Sequence, residues 1–336
     1  MQYALLGKTG LMVSRVGFGG IPIQQLEIEA ANKVIDKALE LGINFIDSAR
    51  GYNESEKLIG NALVGKREKV HLASKSMSRD KASMLKDVES TLQNFKTDYI
   101  DLYQLHNISS LGELERVMKP DGALTALKEL KEKGIVKHIG ITSHKLDIIE
   151  KALEMDDFET VQYPYSVVEQ QAREIFAKAH EMGIGTIAMK PLAGGSLDDA
   201  RIAIKYILED YNLDCAIPGM DSIEQVIENV SAADDMKLSK VEKDQLVKKA
   251  SELGQTFCRR CGYFLPCPQN INIPQVFLME GYYSRYDLVD WALERYNGME
   301  VKADACKKCG ICEKKCPYEL PIRKMLERAK NILISK

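Results

Sequence analysis

Short apolar runs recur between residues 15 and 220, and each is followed by a stretch with helical spacing. The runs are RVGFGG (15–20), INFIDSA (43–49), VHLASK (70–75), YIDLYQLH (99–106), KHIGITSH (137–144), TVQYPYS (160–166), GTIAMKPL (185–192) and DCAIPGM (214–220). They are rich in Ile, Val, Phe and Tyr, as strands buried on both faces are. Between them lie amphipathic stretches such as 30–42, 125–134, 172–183 and 223–230, several of them ending in Gly, a common helix stop. Eight strands alternating with helices predict an α/β fold, a closed (β/α)8 TIM barrel. An open doubly wound sheet should carry a Gly-rich fingerprint after its first strand, and GFGG is not followed by a further G-x-x-G.

Two short runs, near Tyr3–Leu6 and Leu11–Ser14, flank Gly7-Lys8-Thr9-Gly10 and read as a hairpin before the barrel. The pattern changes again after residue 235. A charged amphipathic stretch over 236–254 reads as a connecting helix, and 255–336 reads as a small α-helical, cysteine-rich module; the barrel with its hairpin takes 1–235. Beyond the strand–helix alternation no internal repeat is apparent in the sequence.

Composition narrows the function classes. A net charge of −3 argues against nucleic acid as a main partner, because phosphate binding needs a clustered basic face. The opening MQYALLGKTG is too polar for a signal peptide, and no apolar run is long enough to span a bilayer. A cytoplasmic location is the expectation, with no membrane partner.

Polar residues at the strand ends suggest chemistry, since barrel active sites sit at the C-terminal mouth. Asp47 ends the second strand run with Tyr52 just beyond it, Lys75 ends the third and His106 the fourth. Carbonyl reduction needs hydride at carbon and a proton at oxygen. A free Tyr has a pKa of about 10, and a nearby ammonium lowers it by favouring the phenolate. Asp47 would hold Lys75, His106 would orient the substrate oxygen, and Tyr52 would donate the proton.

With these residues in place, the chain resembles the aldo-keto reductase family over roughly residues 1–235. LGKTGLMVSRVGFGG (6–20) matches the family's opening, and Asp47, Tyr52, Lys75 and His106 match its catalytic tetrad in order and context. The resemblance implies a nicotinamide cofactor, NADPH or NADH. It places Ser143 and Gln162 at the carboxamide, with His144 replacing the usual Asn. Leu192, Gly194 and Gly195 fall on the loop that wraps the pyrophosphate, and Gln225 and Asn229 on the adenine side. Met189 stands where many members stack a Tyr or Trp on the nicotinamide. Gly219 and Gln225 stand where many place cations for the 2′-phosphate, so we expect a relaxed preference between the two nucleotides.

The cysteines point to a second chemistry. Of eight, only Cys215 precedes residue 258, and its apolar run marks it as a core residue. Clustered cysteines in a cytosolic chain favour metal over disulfides. Residues 306–317, CKKCGICEKKCP, have the C-x2-C-x2-C-x3-C-P spacing of 4Fe–4S ligation, with Cys306, Cys309, Cys312 and Cys316 as thiolates. Zinc held by CxxC pairs is the competing reading. CRRCGYFLPCP (258–268) offers Cys258, Cys261 and Cys267, with Phe264 where a third close Cys would be expected. By the crossed pattern of two-cluster ferredoxins, Cys267 completes the Cys306–Cys309–Cys312 site. Cys258, Cys261 and Cys316 are left for a 3Fe–4S cluster, a 4Fe–4S cluster with a non-Cys ligand, or nothing. One 4Fe–4S cluster is therefore expected and a second left open.

Three functions follow. In the leading one, an NAD(P)H-dependent oxidoreductase transfers hydride to or from a small aldehyde or ketone. In the second, an electron-transfer adaptor passes electrons from the nicotinamide to an external ferredoxin- or flavodoxin-type carrier. The third is a redox-sensing subunit without turnover. The basic residues Lys307, Lys308, Lys314, Lys315, Arg323, Lys324 and Arg328 read as solvated charge or as a docking face for an acidic carrier.

Overall fold

A two-stranded antiparallel hairpin, β1 (Tyr3–Leu5) and β2 (Met12–Ser14), opens the chain. Eight parallel strands follow in sequence order: β3 (Phe18–Gly19), β4 (Phe45–Asp47), β5 (His71–Ser76), β6 (Ile100–Leu105), β7 (Val136–Thr142), β8 (Thr160–Pro164), β9 (Gly185–Met189) and β10 (Cys215–Ile217). Single parallel bridges, Val16 to Ala216 and Gly19 to Gly219, join the first strand region to the last and bring the sheet nearly to closure. This is the predicted (β/α)8 barrel, seen here in a computed structural model that describes residues 1–334.

Each strand feeds an amphipathic helix, because a strand buried on both faces needs helices to cover its outer side. In order these are α1 (Ile28–Glu40), α2 (Ser55–Ala62), α3 (Lys81–Phe95), α4 (Leu111–Met118), α5 (Ala123–Glu132), α6 (Leu146–Leu153), α7 (Ala172–Met182), α8 (Ala200–Leu208) and α9 (Ile223–Ser231). Polar caps start several of them: Asp80, Ser110, Asp199 and Ser222 each accept a hydrogen bond from a backbone N–H in the first turn. Inside the barrel, Phe45, Ala73, Leu102, Ile187, Cys215 and Ile217 pack with Leu6 and Val13. Lys8 N–H also donates to Gly183 O at 2.8 Å, just before β9, so the hairpin covers the N-terminal mouth. Chemistry is left to the opposite end.

The chain divides into two units, 1–192 with 199–239, and 193–198 with 240–336. Helix α10 (Lys240–Gly254), expected as a connector, groups with the second unit, as does the short segment 193–198. The second unit also contains α11 (Ile273–Arg285), α12 (Val289–Asn297), α13 (Ile311–Lys315) and α14 (Ile322–Ile334). Its core joins Phe264, Ile271, Ile273, Val276, Tyr296, Leu320, Ile322 and Leu326 to Cys312 and Cys316, and Cys258, Cys267 and Cys306 pack against it.

Candidate active site and cysteine centre

The four residues singled out at the strand ends meet at one place. Lys75, fully buried on β5, forms an ion pair with Asp47 at the end of β4 and donates to Ser48 O at 2.8 Å. Its Nζ lies 5.0 Å from the centre of the Tyr52 ring. The Tyr52 and His106 rings stand perpendicular with centroids 6.0 Å apart. The loop bearing Tyr52 is tied down on both sides. Ser48 Oγ and Ser55 Oγ are 2.8 Å apart, Ser55 Oγ donates to Gly20 O at 2.7 Å, and Arg50 N–H donates to Lys75 O at 3.0 Å. Arg50 also pairs with buried Glu56 at 2.6 Å, which takes further hydrogen bonds from Ser74 and Thr91.

Burial sets the proton affinities. It pushes the Asp47 carboxyl above its ordinary range, against the pull of the Lys75 ammonium. His106 is held well below an ordinary imidazole, first by burial and then by the cations Lys75 and Arg79. It is therefore neutral near pH 7, with one ring N–H to give.

One contributor was missed in the sequence. Gln104 on β6 is buried and donates from Nε2 to Asp47 Oδ1 at 3.1 Å. The signal was available: a strand alternates faces, so Gln104 shares a face with His106, and an amide is out of place in YIDLYQLH.

The nucleotide candidates are more scattered. Gln162, on β8, is buried and hydrogen-bonds Asp47, while its Oε1 has no partner among the described residues. Ser143 Oγ donates to Ile108 O at 2.6 Å and accepts from Lys145 N–H at 2.9 Å, leaving one lone pair to offer. His144 follows it, half-buried. Met189 ends β9, packed against the barrel interior. Asn229, on α9, is 1% exposed, and neither of its amide atoms has a hydrogen-bond partner among the described residues. Buried amides are rarely left so, and a ligand edge would complete it. Gln225 is exposed and accepts from Asp221 N–H at 2.9 Å. At Gly219 a side chain would meet Pro22 Cγ at 2.8 Å, so no cation is accommodated there without a shift. Leu192 belongs to the barrel unit. Gly194 and Gly195 belong to the other unit, where Gly194 O accepts from Arg285 Nε at 2.9 Å.

Barrel and tetrad point to one family, and comparison with known proteins decides it. The Aldo/keto reductase family model matches residues 15–201. The chain belongs to the aldo/keto reductase family. An uncharacterized oxidoreductase, YqkF of Bacillus subtilis, is 27% identical over 72% of this chain and 94% of its own length. L-galactose dehydrogenase of Arabidopsis thaliana is 26% identical over 70% of this chain and 89% of its own. Among solved structures, the holo form of aldo-keto reductase AKR11C1 from Bacillus halodurans superposes with a TM-score of 0.64 at 26% identity, covering 75% of this chain and 96% of that one. This reductase carries a further domain, since a 4Fe-4S dicluster domain model matches residues 257–321. It is thus an oxidoreductase of a nicotinamide-using family with an iron–sulfur domain attached.

Among the described residues no three His, Cys, Asp or Glu side chains stand close enough to share one metal ion. An iron–sulfur cube asks for something else, one soft thiolate at each corner iron. The donors are of that kind: Cys306, Cys309, Cys312 and Cys316 lie on one short run, and Cys258, Cys261 and Cys267 on another. Several of the basic residues near them are already paired, Lys308 with Glu327 at 2.6 Å, Arg323 with Glu313 at 2.7 Å and Arg328 with Glu280 at 3.1 Å. No helix of the described chain is long and apolar enough to cross a membrane.

Proposed function

We propose that this reductase interconverts a small aldehyde or ketone and its alcohol with NAD(P)H, Tyr52 exchanging the proton. The observation that carries the proposal is the Lys75 ammonium 5.0 Å from the Tyr52 ring centre, beside a neutral His106. The bound nicotinamide supplies or takes the hydride; this chain's residues handle the oxygen. His106 donates its ring N–H to the carbonyl oxygen and so fixes its direction. As negative charge builds on that oxygen, Tyr52 gives up its phenolic proton. Lys75 stabilises the phenolate that remains, and Asp47, held by Gln104, keeps the ammonium in place.

The residues on hand fit a dinucleotide. Gln162 Oε1 and both amide atoms of Asn229 are buried polar groups without hydrogen-bond partners among the described residues. Gly194 and Gly195 have φ of +65° and +75°, which glycine adopts freely. With Gly219 and Gln225 in place of cations, the 2′-phosphate gains no ion pair there, and NADH and NADPH should bind with similar affinity. Fluorescence titration tests this, and a large gap in favour of NADPH would refute it. The proton-donor role is tested by Tyr52→Phe, which should lose turnover and keep nucleotide affinity. Near-normal turnover in that variant would refute the role.

A further inference from the structure

The two cysteine runs share one backbone device. In the second run Lys308 and Gly310, on either side of Cys309, have φ of +55° and +76°; in the first, Arg260 and Gly262, on either side of Cys261, have φ of +57° and +75°. Left-handed conformations are costly for Lys and Arg, so a matched pair on both runs is not incidental. Each run then ends in Cys-Pro and turns the same way. Asn270 N–H donates to Cys267 O at 2.8 Å and Glu319 N–H to Cys316 O at 3.1 Å, and both third residues are left-handed, at +57° and +52°. Six residues after each Cys-Pro cysteine a 13-residue helix begins, α11 at Ile273 and α14 at Ile322. The absence of a repeat read from the sequence is thus corrected. The cysteine-rich unit is a duplication.

The duplication turns position 264 into a structural statement. Phe264 falls three residues after Cys261, as Cys312 falls three after Cys309, and its side chain is 1% exposed, packed in the core that Cys312 and Cys316 also enter. The Arg259 guanidinium lies 4.0 Å from the Tyr318 ring centre, which brings the neighbours of Cys258 and of Cys316 together. A crossed arrangement, in which each run lends its Cys-Pro cysteine to the other run's cluster, requires that proximity. Cys306, Cys309, Cys312 and Cys267 then make one four-thiolate site, and Cys258, Cys261 and Cys316 make the other.

We infer that the Cys258–Cys261–Cys316 site holds a cluster by three thiolates, with the corner nearest Phe264 lacking a protein ligand, and that in the oxidised protein it is a 3Fe–4S cluster. A phenyl ring offers iron no lone pair, and a four-iron cube keeps its fourth iron poorly without a thiolate. The full chain, reconstituted anaerobically with iron and sulfide and then treated with ferricyanide, which takes one electron as the unligated corner leaves as Fe2+, should retain about seven irons and eight sulfides and show the paramagnetic signal of an oxidised three-iron cluster. Phe264→Cys should raise the iron to about eight and abolish that signal. Cys316→Ala should abolish it and spare the four-iron cluster, which Cys267→Ala should remove instead. Wild-type protein with about four irons, or with about eight, and no three-iron signal would overturn the inference. Loss of the four-iron cluster in Cys316→Ala would overturn the crossed assignment.

Discussion

The barrel mouth and the cysteine runs hold their reactive groups in opposite ways. At the mouth, side chains fix one another: Lys75 reaches Asp47 and Ser48 O, Asp47 takes a hydrogen bond from Gln104, and a tethered loop presents Tyr52. Around the cysteines the backbone does the fixing, through left-handed residues, Cys-Pro turns and helix starts at matched positions. The thiols themselves form part of a modest core. A site made of mutually bonded side chains is assembled when the chain folds. One made of thiols on turns is completed only when metal arrives, because binding energy and folding energy are then the same quantity. One chain thus carries a preorganised centre and a metal-dependent one.

The sharpest contrast should come from Tyr52→Phe. Turnover is expected to fall by about 10²- to 10⁴-fold, the usual worth of a positioned proton donor, while iron content stays unchanged. Parallel loss of iron would mean the two centres are not separable. Removal of iron under anaerobic chelation should do the reverse. Amide exchange is expected to accelerate across 255–334 and to stay slow in the barrel strands, read by hydrogen-exchange mass spectrometry. Equal acceleration in both would break the comparison.

Lys75→Met tests how far the barrel site rests on its own pairing. It strands a buried Asp47, and breaking such a pair costs about 3–5 kcal/mol. Urea unfolding should show this loss, and adding Asp47→Leu should recover part of it. A smaller effect is expected at Asn229, whose amide has no hydrogen-bond partner among the described residues. Asn229→Leu should raise the stability of nucleotide-free protein by about 1 kcal/mol or more and weaken nucleotide binding. The same sign in both measurements would show that the amide does not face the nucleotide.

The smallest effect lies on the outer barrel. Burial pushes the Glu159 carboxyl up, but hydrogen bonds from His138, Lys131 and the Ile139 N–H outweigh it and bring the pKa down to about 2. A carboxyl depressed in the folded state adds stability that is whole above its ordinary value of 4.5 and disappears as pH falls toward 2. Wild type and Glu159→Gln should therefore differ in thermal midpoint near pH 6 and converge near pH 2.

Much of this was legible in the chain. Eight apolar runs at a regular pitch gave the barrel, because a buried parallel strand has to be apolar on both faces. The strand-end cluster was legible because Asp47, Lys75 and His106 interrupt such runs at their ends. Gln104 was passed over although strand alternation puts it on the face of His106; its partner, Asp47 on β4, was not legible, because it comes from another strand. The segment 193–198 was assigned with the barrel from its place in the chain, yet it packs with Arg285 and Tyr286, ninety residues later. The repeat in the cysteine unit was half legible: Cys258, Cys261, Gly262 and Cys267-Pro268 recur as Cys306, Cys309, Gly310 and Cys316-Pro317, while the matched backbone angles at Arg260 and Lys308 and at Asn270 and Glu319 are seen only in the structure.

The sequence by itself determined which elements form and which donors are available, because strand and helix periodicity and thiolate spacing are local properties of the chain. Tertiary structure alone decided what those donors meet: that Lys75 lies beside the ring of Tyr52, that Asn229 is buried with its amide unanswered among the described residues, and that Phe264 packs in the core that Cys312 and Cys316 also enter. Distance, burial and facing depend on residues far apart in the chain, and no local pattern encodes them.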